Sequence, residues 1–254
     1  MSRPADLILG DSHVDALKEA VAEGGADLPT GLPIRLGKMK NGKAIGDLSL
    51  GSVLERIRAL PSDGLVVCAV GGNQHQTMSL IEHARPFDLM LPGEDSPPAP
   101  GRELVPFQAM RATFETGLRN GDLKILEAVR EAARCAVVQL APPPPKADEA
   151  HLLRTIETYF AERGIREHGI APAPVRLKVW RVQVLVLRAL CAEIGVAVLP
   201  VPDAALTPEG FLDPAFYARD ATHANAAYGA LVLRQIAAID AAVLAAGRAP
   251  PPPG

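Results

Sequence analysis

Short runs of Val, Ile and Leu alternate along the chain with longer stretches whose apolar residues recur every three to four positions. Near-continuous apolar runs read as strands covered on both faces, and the longer period reads as amphipathic helix. Strand candidates are "DLILG" (6–10), "PIRLG" (33–37), "GLVVCAV" (64–70), "CAVVQLA" (135–141) and "GVAVLPV" (195–201). The pattern predicts helices over 13–23, 52–60, about 106–133, 147–163, 174–195 and about 224–246, with Gly195 in the C-cap region of the fifth. Strands and helices in alternation predict an α/β fold: a single doubly wound, flavodoxin-like domain of about five mostly parallel strands with helices on both faces.

The Pro- and Gly-rich stretches at 24–46, 92–106 and 142–146 separate no self-sufficient block of strands, so they read as loops. The expected domain spans 1–246. The Pro-rich end, 247–254, has nothing to bury and is expected to be a flexible tail. On the helix over 174–195, Leu177, Trp180, Val184 and Leu187 recur at helical spacing and read as core, with the Arg and Lys residues as a solvated face.

Composition narrows the partners. A net charge of −3 over 254 residues offers no basic footprint for nucleic acid, and 4% aromatics leave few stacking platforms. The most apolar helix is interrupted by Arg176, Lys178, Arg181 and Arg188, so no membrane span is expected. "MSRPADLILGDSH" does not read as a secretory signal. Cys68, Cys135 and Cys191 lie in apolar runs without paired spacing and read as buried thiols of a reducing compartment, which makes a cytoplasmic location the expectation.

In a doubly wound sheet, ligands bind beyond the carboxyl ends of the strands. "GDSH" (10–13) follows the first strand, "GGNQH" (71–75) the third, and "YARDATHANAAYG" (217–229) precedes the last helix. Two chemistries compete for the first of these. Ser12 can be a nucleophile on a sharp turn, or Asp11 and His13 can be an Asp-x-His metal pair. A serine needs a base and an orienting carboxylate, and His223 with Asp220 three residues earlier supplies both types.

Taken together, Gly-Asp-Ser at 10–12, a Gly before the second helix, Gly-Gly-Asn at 71–73 and "DATH" at 220–223 resemble, in order, the four blocks of the SGNH (GDSL-type) hydrolases over residues 6 to about 235. The resemblance implies a serine esterase or acyltransferase acting on a small carboxylic ester, such as an O-acetyl group on a carbohydrate, without a metal or organic cofactor. It implies Ser12, Asp220 and His223 as catalytic residues. The implied oxyanion donors are the backbone N–H groups of Ser12 and Gly51 (Gly46 as the fallback) and the Asn73 amide. His13 stands where the family commonly has Leu, and Gln74 where it commonly has Asp. His13 and His75 are candidate substrate contacts or simply surface residues on first helical turns.

Each block also has a plain structural reading. Ser12 suits a helix N-cap, with Asp15 completing a capping box. Asn73 suits a cap, and Asp220 with His223 suits a loop ion pair. A catalytically silent sugar- or partner-binding domain of the same kind is a second function class. A third is a calcineurin-like metallophosphoesterase using Asp11/His13, Gly46-Asp47 and Gly72-Asn73. That pattern breaks down here: Gln74 separates Asn73 from His75, Asp47 lacks a following Asp, and no Gly-His-x-His occurs near the C-terminus. His83, His151 and His168 have no ligand partners at metal spacing and are expected to be exposed.

Overall fold

A computed structural model describes residues 6–24, 33–40, 42–94 and 98–239. Five of the apolar runs pair side by side as one sheet: β1 (Leu7–Gly10), β2 (Ile34–Arg35), β5 (Leu65–Ala69), β8 (Ala136–Leu140) and β9 (Ala197–Leu199). Their order is β2-β1-β5-β8-β9, with every pairing parallel. This is the α/β doubly wound architecture that the pattern predicts. Two small ribbons flank the sheet, the hairpin β3 (Lys38–Lys40)–β4 (Lys43–Ile45) and the pair β6 (Phe87–Asp88)–β7 (Glu103–Leu104).

Alternation along each strand sends side chains to opposite faces. Leu7, Leu9, Val66, Cys68 and Val137 join one core, and Ile8, Leu65, Val67, Ala136 and Val138 the other. The first core is covered by α2 (Leu50–Arg58), α4 (Phe107–Asn120), α5 (Asp122–Ala132) and α9 (Ala173–Glu193). The second lies under α1 (Val14–Ala22) and α10 (Ala226–Ala237). Cys68, Cys135 and Cys191 are buried, as their apolar surroundings imply, and none of the three is in a disulfide. Among the described residues no helix is long and apolar enough to cross a membrane.

Several boundaries differ from the expectation. The helix expected over 106–133 is two, α4 and α5, because the backbone turns sharply at Gly121. The stretch 147–163 does not form one helix. With the residues just beyond it, it breaks into three short ones, α6 (Glu149–Arg154), α7 (Thr158–Ala161) and α8 (Ile165–His168). The last helix is described to Ala237, and the expected tail at 247–254 lies outside the described residues. On α9 the charged residues do not form a solvated face throughout. Arg176 is only 1% exposed and donates to the carbonyls of Ala171, Lys146 and Ala147. Lys178 pairs with buried Asp88 at 2.9 Å.

The strand order reverses direction between β1 and β5, the switch point at which doubly wound sheets bind ligands. Their register is level at this end, Gly10 opposite Ala69. The "DSH" and "GGN" segments therefore leave the sheet side by side, into the crevice.

Candidate active site

Ser12 follows β1 directly, and Asp11 extends the ladder by donating its N–H to the Ala69 carbonyl at 3.1 Å. The turn is closed by Asp11, whose Oδ1 accepts the His13 N–H at 3.0 Å, and α1 has no side-chain cap. Ser12 is thus not used as a cap, and Asp15 pairs with Arg35 instead of completing a capping box. The Ser12 hydroxyl lies 2.8 Å from Nε2 of His223, across 211 positions of sequence.

What brings the two together is the packing of α1 on α10. The helix after Ser12 and the helix after His223 touch so closely that a Cβ on Gly229 would fall 2.1 Å from the Ala16 carbonyl oxygen. Asn225 caps α10 by accepting the Tyr228 N–H at 3.1 Å. Just before it, the 217–224 loop closes on itself through Ala218 N–H to the His223 carbonyl at 3.1 Å. Within this loop the Asp220 carboxylate folds over its own chain. Oδ1 accepts the N–H groups of Thr222 (2.9 Å) and His223 (2.7 Å), and Oδ2 lies 2.7 Å from His223 Nδ1. A carboxylate at Nδ1 keeps the proton there and leaves Nε2 as the lone-pair nitrogen facing Ser12.

Two residues that the sequence reading passed over hold this loop. Buried Lys146 donates from Nζ to the carbonyls of Asp220 (2.5 Å) and Ala218 (3.1 Å), with the Tyr217 ring 5.1 Å away. Burial pushes its ammonium down to about 8. Glu157 accepts the Thr222 hydroxyl at 2.8 Å and the Ala221 N–H at 3.2 Å. Lys146 belongs to the loop after β8, so the rule of inspecting every strand end would have found it; Glu157 has no comparable signal. His151 corrects an expectation as well: it is half-buried, its Nε2 3.2 Å from the Asp220 carbonyl. His83 and His168 are exposed as expected.

The electrostatics follow from these contacts. Burial works against charge on both members of the pair, but the partnership wins. The Asp220 carboxyl is held well below its ordinary range by the hydrogen bond and charge of His223, by the His223 N–H and by Lys146. The His223 imidazole is raised above 6.5: burial lowers it, and Asp220, Glu157 and Asp11 outweigh that.

The "GGNQH" loop is clamped by two buried glutamines. Gln139 of β8 donates to the Val70 carbonyl at 2.9 Å, and Gln183 of α9 donates to the Gly71 carbonyl. Gln183 Oε1 also accepts the His75 N–H at 2.7 Å and its ring Nδ1 at 3.0 Å. His75 is therefore turned into the interior and is not the surface residue of a first helical turn. It is 1% exposed in α3 (Gln74–Ser79), and burial pushes it down to about 3. Asn73 stands before α3 but makes no side-chain cap bond. Its Oδ1 lies 2.8 Å from Nε2 of His13, which joins the turn after β1 to the loop after β5. Among the described residues, neither the Ser12 N–H nor the Asn73 amide nitrogen has an acceptor.

Among the described residues, no hydrogen bond or close approach joins Gly51 or Gly46 to this group. Gly51 is exposed in the first turn of α2, which Ser49 caps, and a Cβ there would meet only the Ser49 hydroxyl, at 3.9 Å. Gly46, with φ +94°, packs against the Leu36 carbonyl at the end of β2.

Glu157, Asp220 and His223 offer ligand atoms within 4.8 Å of one another, yet the preceding hydrogen bonds already engage each of them. In the Asp11/His13 pair, Asp11 Oδ1 accepts the His13 backbone N–H at 3.0 Å and His13 Nε2 lies 2.8 Å from Asn73 Oδ1.

Beside Asn73 opens a cleft of about 390 Å³, lined among others by Asp11, Lys38, Gln74, Thr77, Thr113 and Asp122. The Asp122 carboxyl, at the start of α5, is pushed up by burial and by Asp11.

No protein-family model matches the chain, and no curated protein matches it. Solved structures similar to this chain include two proteins of low sequence identity. One, a protein provisionally named a platelet activating factor from Streptococcus pneumonia, is 15% identical over 92% of this chain and 84% of its own, with a TM-score of 0.40. The other, provisionally named an arylesterase from Agrobacterium tumefaciens, is 18% identical over 93% of this chain and 97% of its own, with a TM-score of 0.42.

Proposed function

We propose that this chain is a serine hydrolase of the SGNH type that cleaves, or transfers the acyl group of, a small carboxylic ester. The observation that carries the reading is the hydrogen-bonded line Ser12–His223–Asp220, at 2.8 and 2.7 Å, standing at the switch point of the sheet. In this reading His223 Nε2 takes the hydroxyl proton as Ser12 Oγ attacks the acyl carbon, and Asp220 stabilises the imidazolium that forms. The tetrahedral oxyanion is met by the Ser12 N–H and the Asn73 amide. His223 then returns the proton to the departing alcohol oxygen, leaving an acyl-serine. Water, activated by the same imidazole, releases the acid; an acceptor alcohol in its place gives transfer.

Asp11, Lys38, Gln74, Thr77 and Asp122 along the 390 Å³ cleft beside Asn73 offer hydrogen-bonding partners to a hydroxyl-rich leaving group, such as an O-acetylated carbohydrate. No residue of the mechanism requires a cofactor.

Hydrolysis of p-nitrophenyl acetate, followed across pH with and without a chelator, tests the reading. Because His223 must be neutral to act and its pKa is raised by Asp220, kcat/KM is expected to rise along a limb whose midpoint lies above 6.5. Turnover should be indifferent to the chelator. A flat profile, or activity lost on chelation, contradicts the serine mechanism. Ligand binding without hydrolysis of any short-chain ester favours the silent domain.

A further inference from the structure

His13 is the residue that the proposed chemistry leaves without work, although it adjoins the nucleophile. Its ring sits inside the site: the centroid lies 5.0 Å from that of His223, and the Gly72 α-carbon lies so close that a Cβ there would be 2.2 Å from His13 Cδ2. Its backbone N–H is tied to Asp11, and its Nε2 reaches Asn73 Oδ1 at 2.8 Å. A carboxamide has one oxygen that only accepts and one nitrogen that only donates. Rotated by half a turn, Asn73 would present its carbonyl to a developing oxyanion and repel it.

We infer that His13 is a positioning residue: by donating from Nε2 to Asn73 Oδ1, it fixes the carboxamide with its NH₂ turned toward the oxyanion. This rests on the hydrolase reading and adds a determinant of its transition-state stabilisation. Burial, with the neighbouring His223, keeps the ring below its ordinary pKa against the pull of Asp11. A neutral ring donates to Asn73 from Nε2 without placing a second positive charge beside the imidazolium. A glycine at position 72 is what lets the ring approach the loop this closely.

The test is a double-mutant cycle on p-nitrophenyl acetate, with urea unfolding to verify that each variant is folded. Asn73→Ala is expected to lower kcat by roughly 10²–10³. His13→Leu should lower kcat by roughly tenfold with KM within about twofold, since it misorients the donor without removing it. His13→Gln, which keeps an N–H at comparable reach, should recover most of that loss. In the Asn73→Ala background, His13→Leu should change kcat by less than about twofold, because the group it positions is gone. Losses that multiply in the double variant overturn the inference, as does His13→Leu raising KM at constant kcat, or a His13→Gln variant as slow as His13→Leu. Ser12→Ala separates the two levels. If it turns over the ester as fast as wild type, the hydrolase reading falls and the inference with it; if turnover needs Ser12 but the losses multiply, only the inference falls.

Discussion

Replacing Ser12 with alanine is expected to lower kcat/KM for a short-chain ester by roughly 10⁴-fold or more while leaving the fold intact. The size follows from what the hydroxyl does. It is the atom 2.8 Å from His223 Nε2, and no other described side chain of the site is a comparable nucleophile in that position. The cysteines cannot stand in, since all are buried, and burial raises the Cys68 and Cys191 thiols far from the thiolate form. The fold should survive because Ser12 neither caps α1, whose N-cap is His13, nor fills the core. Residual hydrolysis would come from the oxyanion donors and from binding alone.

The second large effect is expected at Asp220. Asp220→Asn should lower kcat by roughly 10³–10⁴ at neutral pH with a smaller change in KM. An asparagine amide that offers its NH₂ to Nδ1 forces the imidazole into the tautomer with hydrogen on Nε2, which cannot accept the serine proton. The same substitution removes the chief influence that raises His223, so the midpoint of whatever acid limb remains should fall. If Asp220→Asn loses activity no more than a surface substitution would, Asp220 does not orient the base. Urea unfolding distinguishes this from collapse of the 217–224 loop, which Lys146 and Glu157 continue to hold through backbone and Thr222 contacts.

The sheet was legible because buried parallel strands are apolar on both faces, a pattern that depends on few other residues. "LILG", "LVVCA" and "AVVQL" all lie within predicted runs. The break at Gly121 was marked by the Asn120-Gly121 dipeptide, but the helical period continues across it and masks the turn. Ser12 and Asn73 stood out because each follows the end of a strand, whereas Asp220 and His223 stood out by their own three-residue spacing ahead of the last helix; the fold brings Ser12, His223 and Asp220 into one hydrogen-bonded line. Gly51 did not stand out: a glycine before a helix carries no information about which direction its N–H faces.

The supporting contacts were the least readable. His75 lies next to the functional loop in sequence, yet the rotation of α3 turns it into the interior against Gln183. Arg176 and Lys146 look like surface charges, but each is buried because it satisfies carbonyls of a loop that has no regular secondary structure to do so. Such roles are set by tertiary position, and a charge pattern along one helix does not contain them.

The most direct measurement is covalent labelling of the native protein with a fluorophosphonate, read by intact mass and by peptide mapping. The account predicts one adduct per chain, on Ser12, with loss of ester hydrolysis in proportion to labelling and no adduct on the Ser12→Ala variant. An unlabelled Ser12 in protein that hydrolyses the ester, or an adduct at another residue that abolishes hydrolysis, would contradict it.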